Sequence, residues 1–213
     1  MARRRDGQVT RDAIVVAAIR ILARDGYQGL SARAIAAESG TNLARVNYYF
    51  GSKQNLLLEV FVALDDEKVG RQRRMYEEPN APLSRKWRTA VAFYREDLAD
   101  GYVRIMQELY AVGYGDARVG QRVRERMNTW RSLIAETMRA SLPELSIDLA
   151  PEMVASALVS FWLGMESQHL AGASEDEGHF FAILDTVGDW LEALEHRAAG
   201  SADRGHLVTP APD

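Results

Sequence analysis

Segment 30–53 carries two short helical patterns interrupted by a glycine, and it constrains the fold more than any other part of the chain. Ser31 is a favourable N-cap residue, and Ile35 and Ala36 then fall on one face of the first helix. Gly40 ends that helix, because glycine adopts the left-handed backbone of a helix C-terminus without a steric penalty. The pattern therefore predicts a short first helix.

A second short helix follows almost at once, with Asn42 as its N-cap. Leu43, Val46 and Phe50 recur at positions i, i+3 and i+7, which predicts one buried stripe. The residues that face away from this stripe are Ala44, Arg45, Asn47 and Tyr48. Two short helices joined by a tight turn are typical of a helix-turn-helix, in which the second helix enters the major groove of DNA.

These residues resemble the tetracycline-repressor (TetR) family of bacterial one-component regulators. The similarity lies in Ser39-Gly40, in a recognition helix over 42–48, in Tyr49-Phe50 and in Lys53. The segment 47–53, Asn-Tyr-Tyr-Phe-Gly-Ser-Lys, is close to a variant seen in many members. The resemblance implies a three-helix DNA-binding head followed by a larger helical domain for effector binding and dimerisation.

The chain departs from the family pattern at two positions. Thr41 stands where valine is usual, and this change should cost little packing. Asn47 replaces the commoner tyrosine, which changes the chemical groups offered to the DNA groove.

Charge is divided unevenly along the chain, although the formal net charge of its 213 residues is −4. Residues 1–53 contain nine basic residues (Lys and Arg) and four acidic residues (Asp and Glu), which gives a charge of +5. Residues 54–213 contain 17 basic and 26 acidic residues, which gives a charge of −9. A basic end on an acidic body suits a phosphate-binding head and orients the molecule on a duplex.

The sequence contains no cysteine, which excludes disulfides and thiolate nucleophiles or metal ligands. No apolar run is long enough to cross a bilayer, and Arg3-Arg4-Arg5 is not followed by the apolar segment of a secretory signal. We therefore expect a cytoplasmic protein with no membrane partner. We expect no cofactor and no metal site, because the histidines at 169, 179, 196 and 206 lack metal-ligand spacing.

No repeat or strand-like alternation is visible, so the sequence predicts an all-α protein of about nine helices. Thr10 is the predicted N-cap of the first helix, which Gly26 ends, and Ser52 caps a helix from Lys53 to about Tyr76. Further helices are predicted near 83–99, 102–114, 116–142, 150–172 and 176–198.

The predicted domains follow from this division of the chain. Residues 1–53 form the DNA-binding domain, with a flexible basic arm over 1–9, and residues 54–200 form the effector-binding and dimerisation domain. Residues 201–213 are polar and contain proline, which predicts a disordered tail.

Arg33 and Asn47 are the predicted base-reading residues, Arg33 because several TetR-like proteins read a base from that position. A guanidinium can bind guanine O6 and N7, and an asparagine amide suits adenine N6 and N7. The alternatives are a solvated or phosphate-binding Arg33 and an Asn47 that forms hydrogen bonds within the head. The full predicted DNA-contacting set is Ser31, Arg33, Asn42, Leu43, Ala44, Arg45, Asn47, Tyr48, Tyr49 and Lys53.

Phosphate contacts are predicted for the Tyr48 and Tyr49 hydroxyls, whose rings would pack on the head, and for Lys53. The resemblance implies these roles. A cation at the start of a helix also opposes the helix dipole, and a phosphate would remove that conflict.

Aromatic and methionine side chains are frequent in the body, and most of them suit a helical core. The resemblance also implies a cavity for a mostly apolar effector. The predicted effector-binding residues are Trp87, Tyr94, Tyr102, Met106, Tyr110 and Trp130.

The last two long helices carry more apolar surface than one core needs, which predicts a four-helix dimer interface. The predicted interface residues are Val154, Leu158, Phe161, Trp162, Met165, Phe180, Leu184, Val187 and Leu191. A dimer would match a double-stranded, pseudo-palindromic DNA operator.

The sequence therefore predicts a homodimeric, DNA-binding transcriptional regulator, a repressor released by a small-molecule effector, and no enzyme. The alternative is a helical ligand-binding or catalytic protein that binds DNA only incidentally.

Overall fold

The computed structural model describes the backbone of residues 2–205 and the side chains of residues 7–64 and 67–200. All regular secondary structure within 2–205 is helical, which confirms the predicted all-α class. The helices are α1 (Ala2–Gly29), α2 (Ala32–Ser39), α3 (Leu43–Phe50), α4 (Lys53–Tyr76), α5 (Leu83–Ala99), α6 (Tyr102–Gly115), α7 (Ala117–Glu144), α8 (Pro151–Leu170), α9 (Glu175–Gly178) and α10 (Phe180–Gly205). None of these helices is long and apolar enough to cross a membrane.

The helices form two compact units. Unit 1 consists of Met1–Arg71 and Arg95–Met127, and unit 2 consists of Gln72–Tyr94 and Asn128–Asp213. Unit 1 therefore extends past the boundary that the sequence predicts at residue 53, because the first part of α4 and all of α6 belong with the amino-terminal helices.

The first and last helices extend beyond their predicted bounds. α1 begins at Ala2, ahead of the predicted N-cap Thr10. Gln8 donates a 2.7 Å hydrogen bond to Asp12 one turn later, which supports this early turn. At the other end α10 continues to Gly205, and the rest of the predicted tail lies outside the described residues.

The core of the head forms where the sequence predicts it. Ile14, Ala18, Ile21 and Leu22 of α1 are all buried, and α2 packs against both α1 and α3. Gly26 has φ of 67°, so α1 loses its helical backbone at the predicted position. A Cβ at this glycine would lie 2.5 Å from Oε1 of Glu108, which is the end of a flexible side chain, so the positive φ is what requires glycine there.

The long helix α4 starts with the predicted cap. The Ser52 hydroxyl accepts a 3.1 Å hydrogen bond from the Asn55 amide. Leu57, Phe61 and Leu64 then lie on one buried face, as their spacing predicts.

The core of unit 2 is a helical layer built from α5, α7, α8 and α10. Its buried residues are Leu83, Ile134, Ala135, Met138, Leu142, Ala155, Val159 and Leu191. Polar contacts fix α5 on α10: the Trp87 indole donates a 2.7 Å hydrogen bond to the Leu184 carbonyl, and the Glu195 carboxylate accepts from the Ser84 amide. Arg88 also pairs with Asp189 at 2.9 Å.

Thr41, at the turn between α2 and α3, has a buried hydroxyl with no hydrogen-bond partner among the described residues. Its amide donates to the Ala36 carbonyl at 3.1 Å, so the backbone is satisfied and only the side chain is not. The sequence predicts only a small packing cost for this threonine. The larger cost comes from burying the unpaired hydroxyl, which lowers the stability of the fold by about 1 to 3 kcal/mol.

We expect Thr41→Val to raise the free energy of unfolding by about 1 kcal/mol, because valine has the same shape and no polar group to desolvate. For a chain of this size that gain raises Tm by roughly 2 to 4 °C. The matched control is Thr89→Val, since the Thr89 hydroxyl donates a 2.9 Å hydrogen bond to the Arg85 carbonyl. Thermal unfolding of the three proteins checks the prediction, and equal responses at the two sites would contradict it.

Candidate nucleic-acid interface

Both short helices of the head are held by the capping residues that the sequence predicts. The Ser31 hydroxyl accepts a 3.2 Å hydrogen bond from the Ala34 amide, and Asn42 Oδ1 accepts a 2.9 Å bond from the Arg45 amide. Gly40, with φ of 66°, closes α2 by donating its amide to the Ala36 and Ala37 carbonyls. These bonds fix the ends of two helices that are too short to be stable by themselves.

The outward face of α3 is exposed and chemically mixed. Val46 and Phe50 are buried beneath it. The exposed residues are Leu43, Ala44, Arg45, Asn47 and Tyr48. A helix face of this size, with apolar, cationic, amide and phenolic groups side by side, can contact base edges and phosphates together.

Leu43 corrects the predicted buried stripe of α3. It is 40% exposed, because burial depends on which neighbouring side chains cover each turn and not on helical spacing alone. An exposed leucine at the start of α3 is instead available for apolar contact with a thymine methyl group.

Arg33 and Ser31 lie exposed at the amino-terminal end of α2. A small cleft separates this end of α2 from the carboxy-terminal end of α3, and Ser31, Asn47 and Lys53 are among its lining residues. The cleft brings residues of both helices of the motif together at one surface of unit 1.

The two adjacent tyrosines of α3 differ in their surroundings. The Tyr48 side chain is 83% exposed, and its ring stands edge-on to that of Tyr49 with the centroids 5.3 Å apart. Tyr49 is half-buried, and its hydroxyl lies close to Gly7, where a Cβ would approach it to 3.3 Å. The expected packing of both rings on the head is therefore right for Tyr49 and wrong for Tyr48.

Lys53 already has partners within the head. Its Nζ donates a 2.6 Å hydrogen bond to the Tyr27 carbonyl and lies 3.5 Å from the centroid of the Tyr27 ring. Burial lowers the pKa of Lys53 below its usual value, and the negative charge of Glu108 offsets part of that shift. The cation at the start of α4 thus ties this helix to the end of α1.

A buried charge cluster lies behind the head in unit 1. The Lys68 ammonium donates to Asp97 at 2.8 Å and to Asp100 at 2.6 Å. Arg71 pairs with the same Asp97 and with Glu96. Burial of the ammonium opposes its charge, but its bonds to Asp100 and Asp97 outweigh that cost and raise the pKa of Lys68 above its usual value.

This cluster ties α4 to the end of α5, and the sequence analysis missed it. Its signal in the sequence is weak, because Lys68 and Asp97 occur in stretches where charged residues normally face solvent. Only the packing of two helices distant in the sequence shows that both side chains are buried.

The head also contacts α6 directly. Arg104 donates a 3.3 Å hydrogen bond to the Arg24 carbonyl, and Glu108 lies beside Gly26. Gly101, at the start of α6, approaches Ala23 so closely that a Cβ would lie 2.9 Å from its methyl group. A shift of α6 would therefore push on the end of α1.

The residues predicted to bind an effector fall into both units. Tyr102, Met106 and Tyr110 are buried on α6 in unit 1, where the Tyr102 hydroxyl accepts a hydrogen bond from Arg126. Trp87, Tyr94 and Trp130 belong to unit 2.

The predicted dimer interface needs correction, because the structure buries most of it inside its own subunit. The residues that are buried in this way are Trp162, Met165, Phe180, Leu184 and Leu191. Val154, Leu158 and Val187 are half-buried, and only Phe161 is exposed. Helical spacing identified an apolar face correctly, and other apolar side chains, Phe161 on α8 and Ile183 and Trp190 on α10, are exposed.

Within the described residues, no group of three or more His, Cys, Asp or Glu is placed to hold a metal ion. The site is instead a three-helix head with a capped α2-turn-α3 unit and an exposed second helix. This arrangement defines the class of helix-turn-helix proteins.

Comparison with known proteins finds a family model that matches the amino-terminal helices. Residues 14–60 match the family model described as bacterial regulatory proteins, tetR family. A search of curated proteins found no match. The family-model match covers part of α1, all of α2 and α3 and the first turns of α4, so the amino-terminal part of the chain is similar to the regulatory proteins of that family.

Solved structures share this fold over most of the chain. A transcriptional regulator from Saccharomonospora viridis, solved in complex with choline, is 22% identical with a TM-score of 0.70, covering 86% of this chain and 93% of its own. A TetR-family member from Streptomyces coelicolor A3 is 22% identical with a TM-score of 0.62, covering 87% and 97%. The multidrug binding protein EbrR, complexed with malachite green, is 21% identical with a TM-score of 0.58, covering 86% and 96%.

We expect Lys53→Met to lower the free energy of unfolding by about 1 kcal/mol, because methionine keeps the aliphatic stem but loses the bond to the Tyr27 carbonyl and the contact with its ring. Arg73→Met is the control, since its exposed charge on the same helix is paired only with Glu77, at 3.5 Å, among the ion pairs of the described residues. Chemical denaturation measures both. A loss no larger for Lys53→Met than for the control would show that the Tyr27 contact contributes little.

Proposed function

We propose that this chain is a homodimeric transcriptional repressor that binds a pseudo-palindromic DNA operator and leaves it when a small-molecule effector binds. The observation that carries the proposal is the exposed face of α3, which is held in place by caps at both short helices. The positive balance of residues 1–53 supports the same conclusion, because phosphate neutralisation provides much of the affinity for DNA. A regulator of this kind would act in the cytoplasm.

In this proposal Arg33 and Asn47 read bases. Both are exposed on unit 1, and neither side chain has a hydrogen bond within the described part of the head that would exclude contact with DNA. Arg33 would bind a guanine and Asn47 an adenine, while Leu43 and Ala44 offer apolar contact to thymine. Arg45, Tyr48 and Tyr49 would contact phosphates on either side.

The proposed dimer uses the outward faces of α8 and α10. Large apolar side chains are exposed there: Met153 and Phe161 on α8, and Ile183 and Trp190 on α10. Gly164 lies on the same side of α8, one turn after Phe161, and a Cβ there would meet nothing within 4 Å, so a second helix can approach closely. Exposed apolar surface of this extent typically marks an interface, and two helices from each subunit form a four-helix arrangement.

The proposed release mechanism is a population shift. An effector that binds one conformation of unit 2 better than another would favour that conformation, and α4 runs without interruption from Lys53 in the head to Tyr76. The buried Lys68–Asp97 pair resists separation of α4 from α5, because each charge would otherwise lose its partner in a desolvated site. The two heads would then move together with α4, away from the spacing of the operator half-sites.

The neighbouring structures support an effector role without identifying the effector. The Saccharomonospora viridis regulator was solved with choline and EbrR with malachite green. Both proteins share the fold of this chain at low sequence identity, so their ligands indicate only the kind of molecule that the fold can accept.

Binding selection from a randomised duplex library tests the DNA-binding function. The wild-type protein should enrich two related half-sites, and Arg33→Ala and Asn47→Ala should each cost about 1 to 3 kcal/mol on that sequence and relax it at different base pairs. Non-specific affinity should change little for Asn47→Ala, since no phosphate charge is neutralised there. Enrichment of no sequence at all would favour the alternative of incidental DNA binding, and unchanged preferred sites in both variants would move base reading to other residues of α3.

The dimer is tested by replacing the outward apolar residues. Ile183→Glu with Trp190→Glu should yield folded monomers in sedimentation, because both side chains are exposed in the subunit but would face their copies across the two-fold axis. The operator affinity should fall by roughly 100-fold or more when the two heads are no longer linked. Val62→Glu with Tyr114→Glu places the same charges on exposed apolar residues of α4 and α6 and should leave the dimer intact. A dimer that survives the first pair of substitutions would contradict this interface.

A further inference from the structure

Unit 2 contains an aromatic cluster formed by Trp87, Tyr94, Trp162 and Phe181, with Glu166 as its acidic neighbour. We propose that this cluster is a binding site for a small organic cation that also carries a hydrogen-bonding group. The inference rests on the proposed function, because it names the chemical class of the effector that unit 2 would bind.

The rings form a continuous set. The centroids of Tyr94 and Trp162 are 5.1 Å apart with the rings nearly perpendicular, and those of Trp87 and Trp162 are 5.9 Å apart. Phe181 lies 5.8 Å from Tyr94. Trp, Tyr and Phe present the negative faces of their π systems to a cation, with Trp the strongest of the three.

One end of the cluster is accessible to solvent and the other is rigid. The Trp87 indole is fixed by its 2.7 Å bond to the Leu184 carbonyl, and Trp162 is buried. Phe181 is only half-buried, and the exposed Phe161 ring lies 6.3 Å from Trp162. The partly exposed rings of Phe161 and Phe181 therefore form the solvent-facing end of the cluster.

The Tyr94 hydroxyl supplies an independent indication of a ligand. The side chain is 5% exposed, and its hydroxyl has no hydrogen-bond partner among the described residues. A residue that only filled the core would be more stable as phenylalanine, because the hydroxyl is desolvated without compensation. A hydroxyl or amine on the bound molecule would satisfy it.

The charge near Tyr94 favours a cation over an anion. Burial raises the pKa of Tyr94, and the negative charges of Glu166 and Glu175 raise it further. Glu175 is the first residue of α9. Its carboxylate accepts hydrogen bonds from the Phe181 and Ala182 amides at the start of α10, at 2.9 and 3.1 Å. Glu166, on α8 one turn after Trp162, is the carboxylate that we assign as the counter-ion of the bound molecule.

Calorimetric titration of the full chain tests the inference with two cations and their neutral counterparts. The first pair is choline with 3,3-dimethylbutan-1-ol, which has the same shape and no charge. The second is malachite green with its leuco form, which is similar in size and uncharged but has a tetrahedral central carbon. We expect at least one cation to bind roughly tenfold or more tightly than its neutral counterpart, as expected for desolvated aromatic and carboxylate contacts. Equal affinities within each pair, or binding of none of the four compounds, would overturn the inference.

Variants separate the roles of the residues. Glu166→Gln should weaken the cation roughly tenfold and leave the neutral counterpart unchanged, whereas Glu136→Gln, at an exposed position of α7, should change neither. Tyr94→Phe should weaken choline binding as well, because the choline hydroxyl would lose its bond to the Tyr94 hydroxyl. If the Tyr94→Phe variant is more stable than the wild type and binds choline equally well, Tyr94 is only a core residue. That result would contradict the proposed bond between its hydroxyl and the ligand.

Operator binding by the same preparations distinguishes this inference from the function on which it rests. Sequence-specific DNA binding without any cation binding would overturn only the effector class. Cation binding by a protein that selects no DNA sequence would leave the site intact and overturn the proposed regulator.

Discussion

The head depends on the capping of two eight-residue helices. Helices of this length are unstable in isolation, because the cost of nucleation is spread over very few hydrogen bonds. Ser31, Gly40 and Asn42 satisfy backbone groups at their ends, and burial of Ile35, Val46 and Phe50 fixes α2 and α3 against α1. The exposed side chains of α3 project from a surface whose position is set by those bonds.

Ionic contacts determine how α4 is held along its length. Lys53 joins its first turn to the end of α1, and Lys68 joins its later part to Asp97 of α5. Buried ion pairs add little net stability, because desolvation offsets most of their attraction, but they disfavour any arrangement that separates the partners. Such contacts suit a helix that has to move as one piece between discrete positions, since a partial displacement would leave charges unpaired.

Unit 2 uses its aromatic and aliphatic residues differently on the two sides of α8 and α10. The inward sides form the core with α5 and α7, and they include the Trp162 and Leu184 side chains. The outward sides leave Phe161, Ile183 and Trp190 in contact with solvent. The two helices therefore contribute apolar side chains both to the core and to the surface of unit 2.

The sequence by itself determined the all-α class, the two short helices with their caps, the core stripe of α1 and the family resemblance of segment 30–53. These features depend on local spacing and on backbone preferences, which a single sequence displays directly. Only the tertiary structure decided that Leu43 is exposed and that Lys53 bonds to Tyr27. It also decided that Leu184 lies in the subunit core and that Lys68 is buried against Asp97. Helical periodicity identifies a face but not what covers it, because burial and pairing depend on segments that are distant in the sequence and meet only when the helices pack.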